Sequence, residues 1–115
     1  MAQNDENPRN NVFFIDQSAD DNLSEAMFKG HLDICGVRIP AAFTGTSVGF
    51  TESETETGTF NAVLWEGVTV AFAAAAGQTC MFNASILSGL KWLKLTSNGS
   101  EAADRTIEPI HRDFN

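Results

Sequence analysis

Residues 67–82, "GVTVAFAAAAGQTCMF", decide between an all-β and a mixed fold because they carry two conflicting signals. The four consecutive alanines favour a helix, since alanine is the best intrinsic helix former. Just before them, Val68, Val70 and Phe72 alternate with smaller or polar residues, which is the period of a strand with one buried face. Four residues are too few to sustain an isolated helix, because nucleation is costly. We therefore predict a compact connection between two strands, with Gly77 at positive φ.

The rest of the chain repeats this pattern of short apolar runs separated by Gly, Ser, Thr and Asn. About seven or eight such runs occur, without a long helical period between them, and this spacing is typical of an all-β antiparallel sandwich or jelly roll. At most one or two short helical turns are expected. One is predicted within residues 83–89, capped by Asn83 and ended by Gly89. Residues 18–30 are predicted to form another turn or an irregular loop.

Three local patterns make further predictions about the strands. In residues 31–39 the apolar residues occupy even positions at first (Leu32, Ile34) and odd positions afterwards (Val37, Ile39). A β-bulge at Cys35–Gly36 would place both pairs on the same face of the strand. Within residues 59–67, apolar residues occur at both odd and even positions, so both faces of a strand there would be apolar. This favours a strand that is covered on both faces. Pro109 cannot donate a backbone hydrogen bond, so its strand is predicted to be an edge strand or to contain a bulge.

Length and charge restrict the classes of function. The chain has 115 residues and a formal net charge of −8, which suits a single domain and argues against a nucleic-acid binder. We expect a polar N-terminal arm over residues 1–11 and one β-sandwich domain over residues 12–115, with no membrane segment or signal peptide. Cys35 and Cys80 lack metal-ligand spacing and are expected to remain free and apolar, with a disulfide as the alternative.

The sequence contains few candidate catalytic or metal-binding groups. His31 and Asp33 share the i, i+2 spacing of His111 and Asp113, but surface roles are a better explanation than a metal site. The alternating glutamates of residues 52–56 could serve glycosidase chemistry or calcium binding, yet a solvated loop is the simpler interpretation. Signature motifs of hydrolases, nucleotide-binding loops and zinc proteases are absent from the sequence. We expect a protein that is not an enzyme and uses no cofactor or metal.

Two sets of apolar residues are candidates for intermolecular contacts. The alanine connection, if exposed, would offer a smooth patch for another chain, although a hairpin loop lying flat on its own sheet is the preferred explanation. The predicted oligomer or capsid contacts are Phe13, Phe14, Ala74, Ala75 and Gly77. Trp65 and Trp92 are a possible ligand platform, with a place in the core as the alternative.

Four segments together resemble those of small bacteriophage virion structural proteins. They are "VRIPAAFTGTSVGFTES" (37–53), "GTFNAVLWEG" (58–67), "VTVAFAAAAGQ" (68–78) and "GLKWLKLTSNGSEAADRTIEPI" (89–110). The resemblance covers most of the chain but involves a pattern of strands and turns, without a catalytic motif. The acidic stretch of residues 52–56 and the N-terminal arm have no counterpart in it.

The resemblance implies a capsid decoration, or cement, protein of β-sandwich fold. Such a protein is made in the host cytoplasm and binds the outside of the assembled shell, with the major capsid protein as its partner. It also implies a homo-oligomer, a trimer or higher, around a symmetry axis of the shell. The arm, residues 2–11, is then expected to order on docking, through Asn4, Asp5, Pro8, Arg9 and Asn11. The alternative is a tail, baseplate or carbohydrate-binding module that uses Trp65 or Trp92.

Overall fold

Each predicted apolar run contains at least one β-strand in the structure, a computed structural model that describes residues 12–112. One 3-10 helix (Ala84–Leu87) lies between the ninth and tenth strands. The strands within the described range are β1 (Phe13–Ile15), β2 (Met27–Phe28), β3 (Asp33–Arg38), β4 (Ser47–Ser53), β5 (Asn61–Ala62), β6 (Leu64–Trp65), β7 (Val68–Thr69), β8 (Ala71–Ala73), β9 (Thr79–Met81), β10 (Trp92–Ser97) and β11 (Arg105–Arg112).

The strands form two main sheets, and all their pairings are antiparallel. The first sheet has the order β1-β11-β3-β9, and the second has the order β2-β10-β4-β5, with β8 also paired to β4. Because β5 and β8 pair with the same edge of β4, they occupy one strand position between them. The eight positions, numbered along the chain, then lie in the orders 1-8-3-6 and 2-7-4-5, which is a jelly roll. The all-β prediction is confirmed.

Aromatic rings and aliphatic side chains fill the space between the two sheets. Phe13 of the first sheet meets Phe50 of the second edge-to-face, with ring centroids 5.6 Å apart, and Phe82 packs on Phe50 at 5.7 Å. Period-2 burial explains this core, since alternate residues of β10 are buried, including Leu93 and Leu95. Each fully buried side chain of this size stabilises the fold by about 1.5–3 kcal/mol.

The predicted bulge lies in β3. Ile110 pairs with Gly36 and the next residue, His111, pairs with Ile34, so Cys35 is the extra residue on its strand. As a result Ile34 and Val37 are both fully buried although their spacing is odd. Cys35 and Cys80 are free, as expected, and Cys80 is buried, which raises the pKa of its thiol.

Ala74, Ala75 and Ala76 lie in a connection between two strands, as predicted, and Ala73 ends β8. The connection is not a hairpin loop on its own sheet, because β8 belongs to the second sheet and β9 to the first. The Ala74 N–H donates to the Thr46 carbonyl at 2.9 Å, and the Gly77 N–H donates to the Pro40 carbonyl at 3.2 Å. Gly77 has a φ of 77°, a conformation that a Cβ would strain. The 3-10 helix is also as predicted: the Ser85 N–H donates to the Asn83 side chain, and Gly89 follows at positive φ.

Three predictions about the strands need correction or refinement. Residues 18–30 contain a strand, β2, because Met27 and Phe28 pair with β10 instead of forming a helical turn. Residues 59–67 are not covered on both faces, since only Val63 is buried among them. The strand that contains Pro109, β11, is not an edge strand, because it lies between β1 and β3. However, β1 pairs with β11 only as far as Ile107, so at Pro109 the strand has no neighbour on that side among the described residues, and the missing N–H is tolerated.

Candidate functional site

A two-stranded hairpin projects from the edge of the second sheet, and we call residues 64–69 the apolar finger. Its strands, β6 and β7, pair only with each other among the described residues. At its base the Val63 N–H donates to the Phe50 carbonyl at 3.1 Å, and the Val70 N–H donates to the Val63 carbonyl at 2.9 Å. Because Val63 and Val70 are buried, the finger is anchored in the core.

A tight turn fixes the shape of the apolar finger. Trp65 pairs with Val68, which leaves Glu66 and Gly67 as a two-residue loop with φ values of 53° and 84°. Positive φ at both positions is the signature of a type I′ turn, whose twist matches that of the flanking strands. Sequence reasoning missed this hairpin, although Gly67 after an apolar run was the available signal.

The apolar finger exposes large side chains on both of its faces. Leu64 is 56% exposed, Trp65 39% and Val68 69%, and they are three of the five exposed large apolar residues in the described range. Trp65 and Val68 lie opposite each other on paired strands, whereas Leu64 points to the other face because side chains alternate along a strand. These exposed apolar side chains make the apolar finger the candidate interaction surface of the domain.

Trp65 and Trp92, the predicted platform residues, do not lie together. Trp92 is half-buried on β10 beside Phe28 of β2, with ring centroids 4.9 Å apart. The β2 edge is the opposite edge of the second sheet from the one that carries the apolar finger. The structure therefore offers two separate aromatic sites instead of one platform.

The predicted contact residues have different fates. Phe13 and Ala74 are buried in the core of the jelly roll, so their side chains are inaccessible to a partner and their assignment as contacts is wrong. Phe14 and Ala75 are half-buried and Gly77 is exposed, and their role in contacts stays a prediction. The arm residues lie outside the described residues: Asn4, Asp5, Pro8, Arg9 and Asn11.

The candidate metal and acid–base groups are dispersed or already paired. Asp33 accepts two hydrogen bonds from Arg112, the shorter at 2.6 Å from Nη2, and Glu54 lies 3.7 Å from the Lys91 ammonium. Asp113 lies outside the described residues. Within residues 12–112, no three His, Cys, Asp or Glu side chains are grouped as metal ligands.

A buried carboxylate, Glu101, joins three loops and was missed as a buried group by sequence reasoning. It is 2% exposed, and it accepts hydrogen bonds at 2.8–3.0 Å from the Thr44 and Gly45 N–H groups, the Ser97 hydroxyl and the Arg105 guanidinium. We call these five residues the Glu101 hub. Burial by itself raises the pKa of a carboxyl group, but here the four hydrogen bonds outweigh it and lower the pKa of Glu101. The hub stabilises the fold and is closed to ligands.

No protein-family model, no curated protein and no solved structure matches the chain. In the part of the chain that the structure describes, no helix has the length and apolar character that a membrane crossing requires.

Proposed function

We propose that this protein is a bacteriophage capsid decoration (cement) protein that binds the outer surface of the assembled shell through its apolar finger. The observation that carries the proposal is the finger itself: three large apolar side chains exposed on a hairpin that a two-residue type I′ turn closes. The jelly roll supports it by analogy alone, since this architecture occurs in viral capsid proteins and in lectins.

The apolar finger suits insertion into a cleft of the major capsid protein. Complete burial of Leu64, Trp65 or Val68 contributes about 1.5–3 kcal/mol per side chain before the costs of association. A tryptophan flanked by aliphatic groups is a typical anchor of a protein interface. The type I′ turn holds the finger in one shape before binding, which lowers the entropy cost of docking.

Charge restricts the kind of partner surface that suits the finger. Glu66 lies at the tip of the finger, and the chain as a whole carries a formal net charge of −8. A complementary docking cleft is therefore apolar inside and basic at its rim. On a symmetric shell the protein acts as a homo-oligomer, a trimer or higher, so that modest affinities per contact combine into firm attachment.

Co-sedimentation with purified, expanded shells of the phage that encodes the chain tests the proposal. We expect the wild-type protein to saturate the shells at a fixed stoichiometry and to raise their disruption temperature. The double variant Trp65→Ser/Val68→Ser should lose roughly tenfold or more in affinity, because it removes the apolar anchor. Its free energy of unfolding should fall by about 1–2 kcal/mol at most, since the variant removes two partly exposed side chains that pair across the hairpin.

Met81→Ser is the matched control, because Met81 is also a large exposed apolar residue but lies on β9 of the first sheet. It should bind shells as the wild type does. If the wild-type protein does not co-sediment with shells, the decoration role is wrong. If both variants bind like the wild type, decoration holds and the apolar finger is not its docking segment.

A further inference from the structure

An open cleft of about 590 Å³ lies at one end of the jelly roll, away from the apolar finger. One wall is the turn that joins β2 to β3, and the other is the segment that follows the 3-10 helix. The two walls are tied together because the Lys29 N–H donates to the Lys91 carbonyl at 2.7 Å. A preformed cleft of this volume is within the usual range for small-molecule sites.

The lining of the cleft is basic, in contrast to the chain as a whole. Among residues 12–112, the lining holds Lys29, Lys91 and Arg112 but a single carboxylate, Asp33. A second carboxylate, Glu54, is not part of the lining but lies 3.7 Å from the exposed ammonium of Lys91. Asp33 holds the Arg112 guanidinium through two hydrogen bonds, and the exposed imidazole of His31 lies in the same lining. In a protein with a net charge of −8, this concentration of cations favours an anionic ligand.

Lys29 is buried beneath the cleft and adds a fixed positive charge to it. Its ammonium donates to the carbonyl oxygens of Gly30 and Leu32, at 3.1 and 2.9 Å. Burial lowers the pKa of Lys29, while the nearby Asp33 carboxylate opposes that effect. Charges at such a partly enclosed position interact with a ligand more strongly than solvated ones, because water screens them less.

The same cleft offers an apolar platform and hydroxyl groups. Phe28, 52% exposed, lines the cleft and is supported from behind by Trp92. Across from it are the exposed hydroxyl groups of Ser85 and Ser88. An aromatic ring packs well against the C–H face of a pyranose ring, and hydroxyl groups exchange hydrogen bonds with sugar hydroxyls.

We propose that this cleft binds a hexuronic acid, a sugar that carries a carboxylate. The sugar ring lies on Phe28, its hydroxyls meet Ser85 and Ser88, and its carboxylate faces Arg112 and Lys91. Arg112 suits this role because a guanidinium carries five N–H donors, of which Asp33 accepts from two, and such a group bridges two carboxylates. The site is independent of the apolar finger, so it stands or fails separately from the decoration role.

Fluorescence of Trp92 can report occupancy of the cleft, because Trp92 packs directly on Phe28. In a Trp65→Phe background Trp92 is the only tryptophan of the chain. We expect glucuronate to give a saturable change, weakened by salt, with an affinity roughly tenfold or more above those of glucose and acetate. Glucose tests the need for the carboxylate, and acetate tests the need for the sugar ring.

Variants assign the binding to the cleft. Arg112→Gln and Phe28→Ala should each weaken glucuronate binding by roughly tenfold. Arg38→Gln is the matched control: Arg38 is an exposed arginine at the other end of β3, paired with Glu108 as Arg112 is with Asp33. It should leave binding unchanged. The absence of a saturable change, equal affinity for acetate and glucuronate, or full binding by Arg112→Gln and Phe28→Ala would each overturn the proposal.

Discussion

The Glu101 hub and the apolar finger reverse the usual partition of residues between the inside and the outside of a protein. Glu101 is a charged group with its side chain closed to water, whereas Trp65 and Val68 are apolar groups that water reaches. Every oxygen of Glu101 is hydrogen-bonded, so its burial is compensated and the hub stabilises the monomer. The side chains of the apolar finger are exposed and add little to the stability of the monomer. They are therefore available to a second molecule.

The largest effect should follow removal of the charge at the hub. Glu101→Gln should lower the free energy of unfolding by about 3–5 kcal/mol, because it leaves the Arg105 guanidinium, itself largely buried, without its partner. It also places an amide N–H₂ among donors that already point at this site. Urea denaturation followed by circular dichroism measures the change.

Glu108→Gln provides the contrast for that measurement. Glu108 also pairs with an arginine, Arg38, at 3.3 Å, but both side chains are exposed. Loss of this ion pair should lower the free energy of unfolding by about 1 kcal/mol or less. Equal losses from the two variants would mean that burial does not set the strength of the hub.

Acid should weaken the Glu101 hub by protonating its carboxylate. The pKa of Glu101 is lowered in the native state, so the unfolded chain binds this proton more tightly. The stabilisation is therefore present above the ordinary value of 4.5 and is lost as the pH falls through the native pKa. Unfolding free energies measured between about pH 6 and pH 3 should fall more steeply for the wild type than for Glu101→Gln. Parallel curves would contradict a lowered pKa.

A smaller effect on stability than that of Glu101→Gln should come from a change in the turn of the apolar finger. Gly67→Ala places a side chain at a φ of 84° and should cost about 1 kcal/mol. Because the turn sets the shape of the finger, shell binding should weaken as well. Gly77→Ala is matched to it, with a φ of 77° and open space around the added Cβ, as at Gly67. If only Gly77→Ala reduced shell binding, the alanine connection would be the contact instead of the finger.

Local rules explain which elements could be predicted from the sequence. The bulge at Cys35 follows from a parity shift over a few residues, and the cap at Asn83 and the positive φ of Gly77 depend on single residues. The strand pattern likewise contains enough information for an all-β sandwich, because burial on one face imposes a period of two.

The features that the sequence did not predict depend on contacts with residues far away in the chain, or on the absence of a covering sheet. Phe60–Trp65 is apolar on both alternating sets, and such a run has the same appearance in a doubly covered strand and in an uncovered hairpin. The burial of Glu101 could not be predicted from the sequence because its donors at Thr44 and Gly45 lie more than fifty residues away. Phe13 and Ala74 were assigned to an interface because apolar character alone does not distinguish core from contact.

The apolar finger interrupts a single strand of the second sheet, and this has a consequence for how such proteins can diversify. Ala62 pairs with Thr51 and Ala71 pairs with Gly49, so ten positions of one strand face three of its neighbour, start and end included. Deleting residues 64–70 would join Val63 directly to Ala71 and keep the inward alternation of Val63 and Phe72. Under the proposed docking role, the hairpin that contacts the partner and the strands that form the core are therefore separable stretches of the chain. Homologous jelly rolls could adapt to different shells by exchanging this hairpin while retaining the same core.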